Sequence, residues 1–240
     1  MKLIDLENPK KTARIAGLLY LGLIVFGIAG MVVRVSFIEP GDAATTANNI
    51  IANKILFSAA NVSWLISEMF LLLLGLALYV LLKPVNKIIA SLIVLFITVG
   101  VSIECLNTLN LFAALKLLSG ADYLTVFGAD QLNAQVMYHL DLWESGYRIA
   151  VILSFGPWLI PTGYLMYTSG YFPKLLGILG MLAGIGFLIE SFQYFLLPDN
   201  EVISSVGNVA AIIGEFAICG WLLIKGVNVE QWEKRALASA

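Results

Sequence analysis

The sequence predicts an all-α integral membrane bundle of six transmembrane helices, and three observations support this fold class. Of the 240 residues, 60% are hydrophobic and only 12% are charged, whereas a soluble domain carries roughly 25% charged residues. The apolar runs are about 19 to 27 residues long, which is the length of a helix that crosses a bilayer. The runs do not alternate with period two, as the strands of a membrane barrel do. We therefore expect one six-span domain over residues 1–240.

Proline, glycine and charged residues separate the predicted spans, because proline lacks an N–H group and marks helix ends. The breaks are Pro40-Gly41-Asp42, Lys83-Pro84, Gly120-Ala121-Asp122, Pro173-Lys174 and Pro198-Asp199-Asn200. The six spans are predicted at about 14–36, 55–82, 87–116, 141–168, 174–197 and 203–225. The first run is longer than the apolar core of a signal peptide, so we expect it to be retained.

Short interfacial helices are predicted in the two long outer loops. Asp42 can cap one that leads into the second span, and Asp130 can cap another that leads towards the fourth. Together they can form a lid, or each can be a plain connector. Within the fourth span, Pro157 and Pro161 are expected to kink the helix.

Loop charge predicts the orientation, because basic residues are retained in the cytoplasm. With the N-terminus inside, three basic residues lie outside, namely Arg34, Lys54 and Lys116. The inner segments carry Lys2, Lys10, Lys11, Arg14, Lys83, Lys87, Lys174, Lys225, Lys234 and Arg235. We therefore expect a multi-pass protein of the cell membrane, here the bacterial inner membrane, with both termini in the cytoplasm.

Each of the last five spans contains a glutamate with a polar partner at helical spacing. Ionisable residues inside a bilayer are costly and indicate functional sites, so the polar stripes should face inwards. The sequence predicts one outward-facing ligand-binding pocket. Its residues are Asn61 with Glu68, Glu104 with Asn107, Glu144 with Arg148, Glu190 with Gln193, and Asn208 with Glu215.

Charge counting constrains this pocket. Three ionised glutamates at span centres, namely Glu68, Glu104 and Glu215, would cost roughly 8–10 kcal/mol together. Arg148 can neutralise one glutamate and Arg34 another, so the remainder must be protonated, hydrated or bound to a cation. The alternative for each glutamate is a structural hydrogen bond to a neighbouring Asn or Ser, and the Glu144–Arg148 pair can itself be structural.

These features leave three classes of function. The first is a binding module, as a sensor or accessory protein, for a small cation, amine or lipid-like ligand. The second is a proton- or cation-coupled small transporter. An intramembrane carboxylate-dependent enzyme is least favoured, because no nucleophile–base pair, His/Cys metal set or phosphate loop is visible. No cofactor is predicted, the metal is left open, and the net charge of -2 points to no nucleic-acid partner. A homo-oligomer is left open.

Several motifs carry a resemblance to a known family. They include Ala13-Arg14-Ile15-Ala16-Gly17 near the start, Ser169-Gly170-Tyr171-Phe172-Pro173-Lys174 between the fourth and fifth spans, and Gly214-Glu215 with Trp221-Leu222-Leu223-Ile224-Lys225-Gly226 at the end. The chain resembles, over nearly its whole length, a bacterial family of six-span membrane proteins catalogued as domain of unknown function 4386. The resemblance implies the topology and no mechanism.

Overall fold

The computed structural model describes residues 8–238, without the side chains of Glu201 and Ser204, and within this range it is helical with no strand. Lys2 and both ends of the predicted 1–240 domain lie outside the described residues. The helices are α1 (Pro9–Val35), α2 (Ala43–Ala52), α3 (Lys54–Leu82), α4 (Lys87–Asn107), α5 (Leu109–Leu117), α6 (Ala129–Ala150), α7 (Gly156–Ser169), α8 (Lys174–Leu196), α9 (Glu201–Ile224) and α10 (Val229–Ala238).

Six helical segments of the described chain are long and apolar enough to cross a membrane, which confirms the predicted fold class. A protein of this kind contacts the lipid bilayer along its apolar helices. The segments are Pro9–Val35, Lys54–Leu82, Lys87–Leu117, Ala129–Ser169, Lys174–Leu196 and Ser205–Ile224.

The fourth span begins earlier than the sequence predicts. Asp130 lies in the first turn of the continuous helix α6 and does not cap a separate short helix. The physical reason is that no proline occurs between Asp130 and Pro157, so nothing ends the helix over this stretch. The carboxylate of Asp130 also suits the positive end of the helix dipole.

Two irregularities interrupt the spans. A π-helical turn, Val151–Phe155, joins α6 to α7 immediately before Gly156 and Pro157. The ring of Pro157 would clash with the carbonyl of Leu153 in a regular helix, so a departure from α-helical geometry at this point is expected. Between α4 and α5, the hydroxyl of Thr108 donates to the carbonyl of Glu104 at 2.7 Å, a bond that bends helices.

The chain divides into two compact units. Unit 1 contains the described residues up to Gly22, then Phe70–Val101, and the described residues from Arg148 onwards. Unit 2 contains Leu23–Met69 and Ser102–Tyr147.

Glycines bring the helices of unit 1 into close contact. A Cβ atom built on Gly177 of α8 would lie 2.5 Å from the carbonyl oxygen of Gly163 of α7. The same close approach occurs between Gly186 of α8 and Gly207 of α9, at 2.4 Å. Small residues at helix contacts are typical of membrane bundles, where backbone packing replaces the hydrophobic effect.

At one end of unit 1, two side chains donate hydrogen bonds to the same backbone carbonyl of α3. The carbonyl oxygen of Leu81, at the end of α3, accepts from the hydroxyl of Tyr171 at 2.7 Å and from the indole N–H of Trp232 at 3.0 Å. Gly170, with φ of 81°, provides the left-handed turn that follows α7. The loop after α7 and the helix α10 are thereby attached to the same turn of α3.

Unit 2 is built around an apolar core at the end where α1 stops and α3 starts. Asp42 caps α2, as predicted, by accepting from the backbone N–H of Thr45 at 2.9 Å, and this bond lowers the pKa of Asp42. The buried core residues are Phe37, Ile50, Phe57, Trp64, Leu111, Ala114, Val136, Leu140 and Trp143.

The Gly163–Gly177 contact gives a stability prediction. We expect Gly177→Ala to destabilise the protein by about 1–3 kcal/mol, because the added methyl group meets backbone atoms that cannot move freely. Gly220→Ala is the matched control, since nothing lies within 4 Å of a Cβ at that position. Thermal unfolding in detergent measures both variants, and equal melting temperatures would contradict the close packing.

Candidate functional site

The predicted site residues divide between the two units, and each group is described within its own unit. The single pocket predicted from the sequence stays a prediction. Unit 1 holds Arg148, Glu190, Gln193, Asn208 and Glu215, and unit 2 holds Asn61, Glu68, Glu104, Asn107 and Glu144.

In unit 1, Arg148 and Glu190 form an ion pair. Nη1 of Arg148, in the last turn of α6, donates to Oε1 of Glu190 on α8, and the two side chains are 15% and 12% exposed. The guanidinium carbon of Arg148 also lies 5.4 Å from the centre of the Tyr194 ring. Helical spacing suggested Glu144 as the partner of Arg148, and it could not reveal this contact between α6 and α8.

Among the other predicted site residues of unit 1, Gln193 bonds the backbone and Glu215 bonds a tyrosine. The side-chain amide of Gln193 donates to the carbonyls of Leu197 at 2.8 Å and Pro198 at 3.3 Å, where α8 ends. Oε1 of Glu215 accepts from the hydroxyl of the buried Tyr20 at 3.2 Å. Asn208 is partly buried on α9.

In unit 2, Glu104 is fully buried and both of its carboxyl oxygens accept hydrogen bonds. The indole N–H of Trp64 donates to Oε2 at 3.0 Å, and the amide of Asn107 donates to Oε1 at 3.2 Å. The same amide donates to the carbonyl of Trp143 at 2.8 Å. Glu104 therefore connects α4 directly to α3, and Asn107 connects α4 to α6.

Arg34, near the end of α1, is also buried, with 1% of its surface exposed. Its guanidinium carbon lies 3.8 Å from the ring centre of Trp143 and 5.1 Å from that of Trp64. The ring of Tyr147 stacks on that of Trp143, with centres 5.8 Å apart. Aromatic faces stabilise a cation in this position. Glu104 and Glu144 attract the guanidinium electrostatically.

Four side chains of unit 2 have buried polar atoms without a hydrogen-bond partner; one is Trp143, through its indole N–H, and the other three are polar or charged groups. The unpaired atoms of these three are all three guanidinium nitrogens of Arg34, both amide atoms of Asn61, and Oε2 of Glu68. Asn61 and Glu68 are 0% and 2% exposed. Most buried polar groups in proteins are satisfied, and an unsatisfied one costs roughly 1–3 kcal/mol or more. We call Arg34, Asn61, Trp64, Glu68 and Glu104 the polar cluster.

A chain of hydrogen bonds extends from the polar cluster to a partly exposed histidine. The amide of Asn110 donates to Oδ1 of Asn107 at 3.3 Å, and Nδ1 of His139 lies 3.1 Å from Oδ1 of Asn110. Asn107 in turn bonds Glu104. The cluster is therefore connected through side chains to the accessible ring of His139.

The sequence predicted Asn61, Glu68 and Glu104 of the polar cluster as pocket residues and left Trp64 and Arg34 outside the predicted pocket. Trp64 shares a helical face with Asn61 and Glu68, and this spacing could have added it to the site. Arg34 lies at the end of its span, so the sequence indicated only that its charge could neutralise one glutamate. Within residues 8–238, no group of three or more His, Cys, Asp or Glu side chains is arranged to hold a metal ion.

The fold defines the class as a six-span helical membrane protein, and comparison with known proteins identifies its family. The chain belongs to the family described as Domain of unknown function (DUF4386), which matches residues 15–226, as the motifs predicted. An "Uncharacterized protein" of Archaeoglobus fulgidus is 29% identical over 156 residues, which cover 65% of this chain and 76% of that protein. No solved structure matches the chain significantly.

The Arg148–Glu190 pair gives a prediction for unit 1. We expect Glu190→Ala to destabilise the protein by about 3 kcal/mol, because the mostly buried Arg148 would lose its ion pair with Glu190. The control is Glu230→Ala, which removes the pair of Glu230 with Lys234, whose side chains are 73% and 64% exposed, and which should change little. Unfolding in detergent measures both, and a silent Glu190→Ala would show that the pair contributes no stability.

Proposed function

We propose that this protein is a membrane-embedded binding module, serving as a sensor or accessory protein, that holds a small cation, an amine or the ammonium group of a lipid-like ligand in unit 2. The observation that carries the proposal is the carboxyl oxygen Oε2 of Glu68, which is buried and has no hydrogen-bond partner. An ammonium group would supply the hydrogen-bond donor and the positive counter-charge that this carboxyl oxygen does not have.

The surroundings of Glu68 favour a cation. Glu68 and Glu104 interact electrostatically, so two carboxyl groups contribute to the field at this point. Bringing two acids together in a low-dielectric interior is unfavourable unless a proton or a cation is present. An organic ammonium group suits the position, because its three N–H donors can bond a carboxyl oxygen and other nearby acceptors.

The distribution of charge supports a location in the cell membrane with both termini in the cytoplasm. Basic residues are concentrated in the segments that this topology places inside, and acidic residues in the outer loops. In this topology α1 ends on the outer side, so the Arg34 end of the polar cluster lies nearest to the outside. The ligand then enters unit 2 from the outer surface.

Glu68→Gln tests the proposal directly. We expect loss of propylamine binding by the purified protein, measured by isothermal titration calorimetry, together with equal or higher thermal stability, because the uncharged amide is not repelled by Glu104. The matched control is Glu39→Gln, the same substitution at an exposed glutamate of unit 2, which should bind normally. Destabilisation with unchanged binding would show that Glu68 is structural.

A proton- or cation-coupled small transporter is the second candidate. The observation that favours it is the irregular backbone of two spans, at the π turn Val151–Phe155 and at Thr108. Transporters use such interruptions at their binding sites. Uptake of labelled propylamine into proteoliposomes, with Glu68→Gln as control, separates the two: flux that depends on Glu68 supports transport, and binding without flux supports the module.

A further inference from the structure

The guanidinium of Arg34 is the strongest unexplained feature of the polar cluster. It is a permanent charge, 1% exposed, and none of its three nitrogens has a hydrogen-bond partner. The contacts with Trp143 and Trp64 stabilise the charge through the ring faces. They leave the N–H donors, which lie in the plane of the guanidinium, without acceptors.

Glu104, the acid that attracts Arg34 most strongly, does not satisfy these donors. Its two carboxyl oxygens accept instead from Trp64 and Asn107. Trp64 therefore contacts both charged groups: its ring face lies against Arg34, and its indole N–H donates to Glu104. The donors of Arg34 are therefore left for another acceptor, and a carboxylate or phosphate group fits a guanidinium through two parallel bonds.

A simple anion would be a poor ligand, because Arg34 lies in the field of Glu104 and Glu144, and Glu68 interacts with Glu104. An ammonium group on the same molecule offsets this repulsion at Glu68. Asn61 can assist, since its unpaired amide offers both an acceptor and a donor.

We propose that the polar cluster recognises a zwitterionic group, with its anionic end on Arg34 and its ammonium end on Glu68. This inference rests on the proposed function and adds the class of ligand. The guanidinium of Arg34 lies against the ring of Trp64, and Trp64 and Glu68 are four residues apart on α3, or about 6 Å along the helix axis. The two charges of the ligand are therefore separated by several bonds. An ω-amino acid and a phosphoethanolamine headgroup share this chemistry.

The test compares ligands that differ by one charge, using the full-length protein in detergent and isothermal titration calorimetry. We expect γ-aminobutyrate to bind at least about ten-fold more tightly than propylamine, because a charge-assisted bond to a buried guanidinium contributes at least this factor. Butyrate should bind more weakly than either. Glycine should bind more weakly than γ-aminobutyrate, because its two charges are too close together.

The variants locate the effect. Arg34→Gln should bring the affinities for γ-aminobutyrate and propylamine together, and circular dichroism shows whether the variant is folded. Arg34→Lys keeps the charge and should keep part of the preference, and it serves as well if Arg34→Gln does not fold. Lys116→Gln, the loss of another cation from unit 2, should leave the preference unchanged.

The source of the zwitterion is tested with nanodiscs. If the ligand is a lipid headgroup, phosphatidylethanolamine should raise the melting temperature above that in phosphatidylglycerol, and Arg34→Gln should abolish the difference. Propylamine binding without any preference for γ-aminobutyrate or phosphatidylethanolamine would overturn this inference and leave the proposed function standing. Butyrate binding as tight as that of γ-aminobutyrate would also overturn it. Failure of all the amines, soluble and lipid, would overturn both.

Discussion

The burial of the Arg34 guanidinium organises the polar side chains of unit 2. Removing a charge from water costs several kcal/mol even after relaxation, and the face of Trp143 at 3.8 Å offsets part of that cost. Trp64 lies beside the same cation and donates to Glu104, whose charge attracts Arg34. Because each of these groups stabilises another, the position of one determines the positions of the rest.

Glycines allow the helices of unit 2 to approach closely enough for these polar side chains to meet. A Cβ on Gly30, one turn before Arg34, would lie 2.7 Å from the carbonyl of Ala60, so α1 can approach α3 only with glycine there. On α6, a Cβ on Gly146 would lie 2.2 Å from Oδ1 of Asn107. The close backbone approach allows short polar side chains to bridge helices. The site thus depends on small residues that carry no chemistry themselves.

Sequence reasoning predicted the six spans and the cap at Asp42, because length, apolarity and capping are local properties. It found the polar stripe of Asn61 and Glu68 for the same reason, since residues seven apart share one face of a helix. The contacts between helices were beyond it. Nothing in helical periodicity indicates that Arg148 meets Glu190 on another span, or that Arg34 lies on the ring of Trp143. Those pairings depend on how the helices pack against one another, and helical periodicity in one sequence does not predict that packing.

Comparison within the protein separates structural polar residues from candidate binding residues. Gln193 is buried, like Asn61, yet its amide donates to the backbone carbonyls of Leu197 and Pro198, which follow the end of α8. Glu190 has Arg148, whereas Oε2 of Glu68 has no partner. A polar group placed for stability is satisfied by the fold itself, because leaving it unpaired costs free energy. Single donors or hydroxyls of Trp143, Ser154 and Ser191 are also unpaired, but Arg34, Asn61 and Glu68 combine a cation, an amide and an acid within one unit. One ligand with both a donor and an acceptor group can complete the hydrogen bonds of all three.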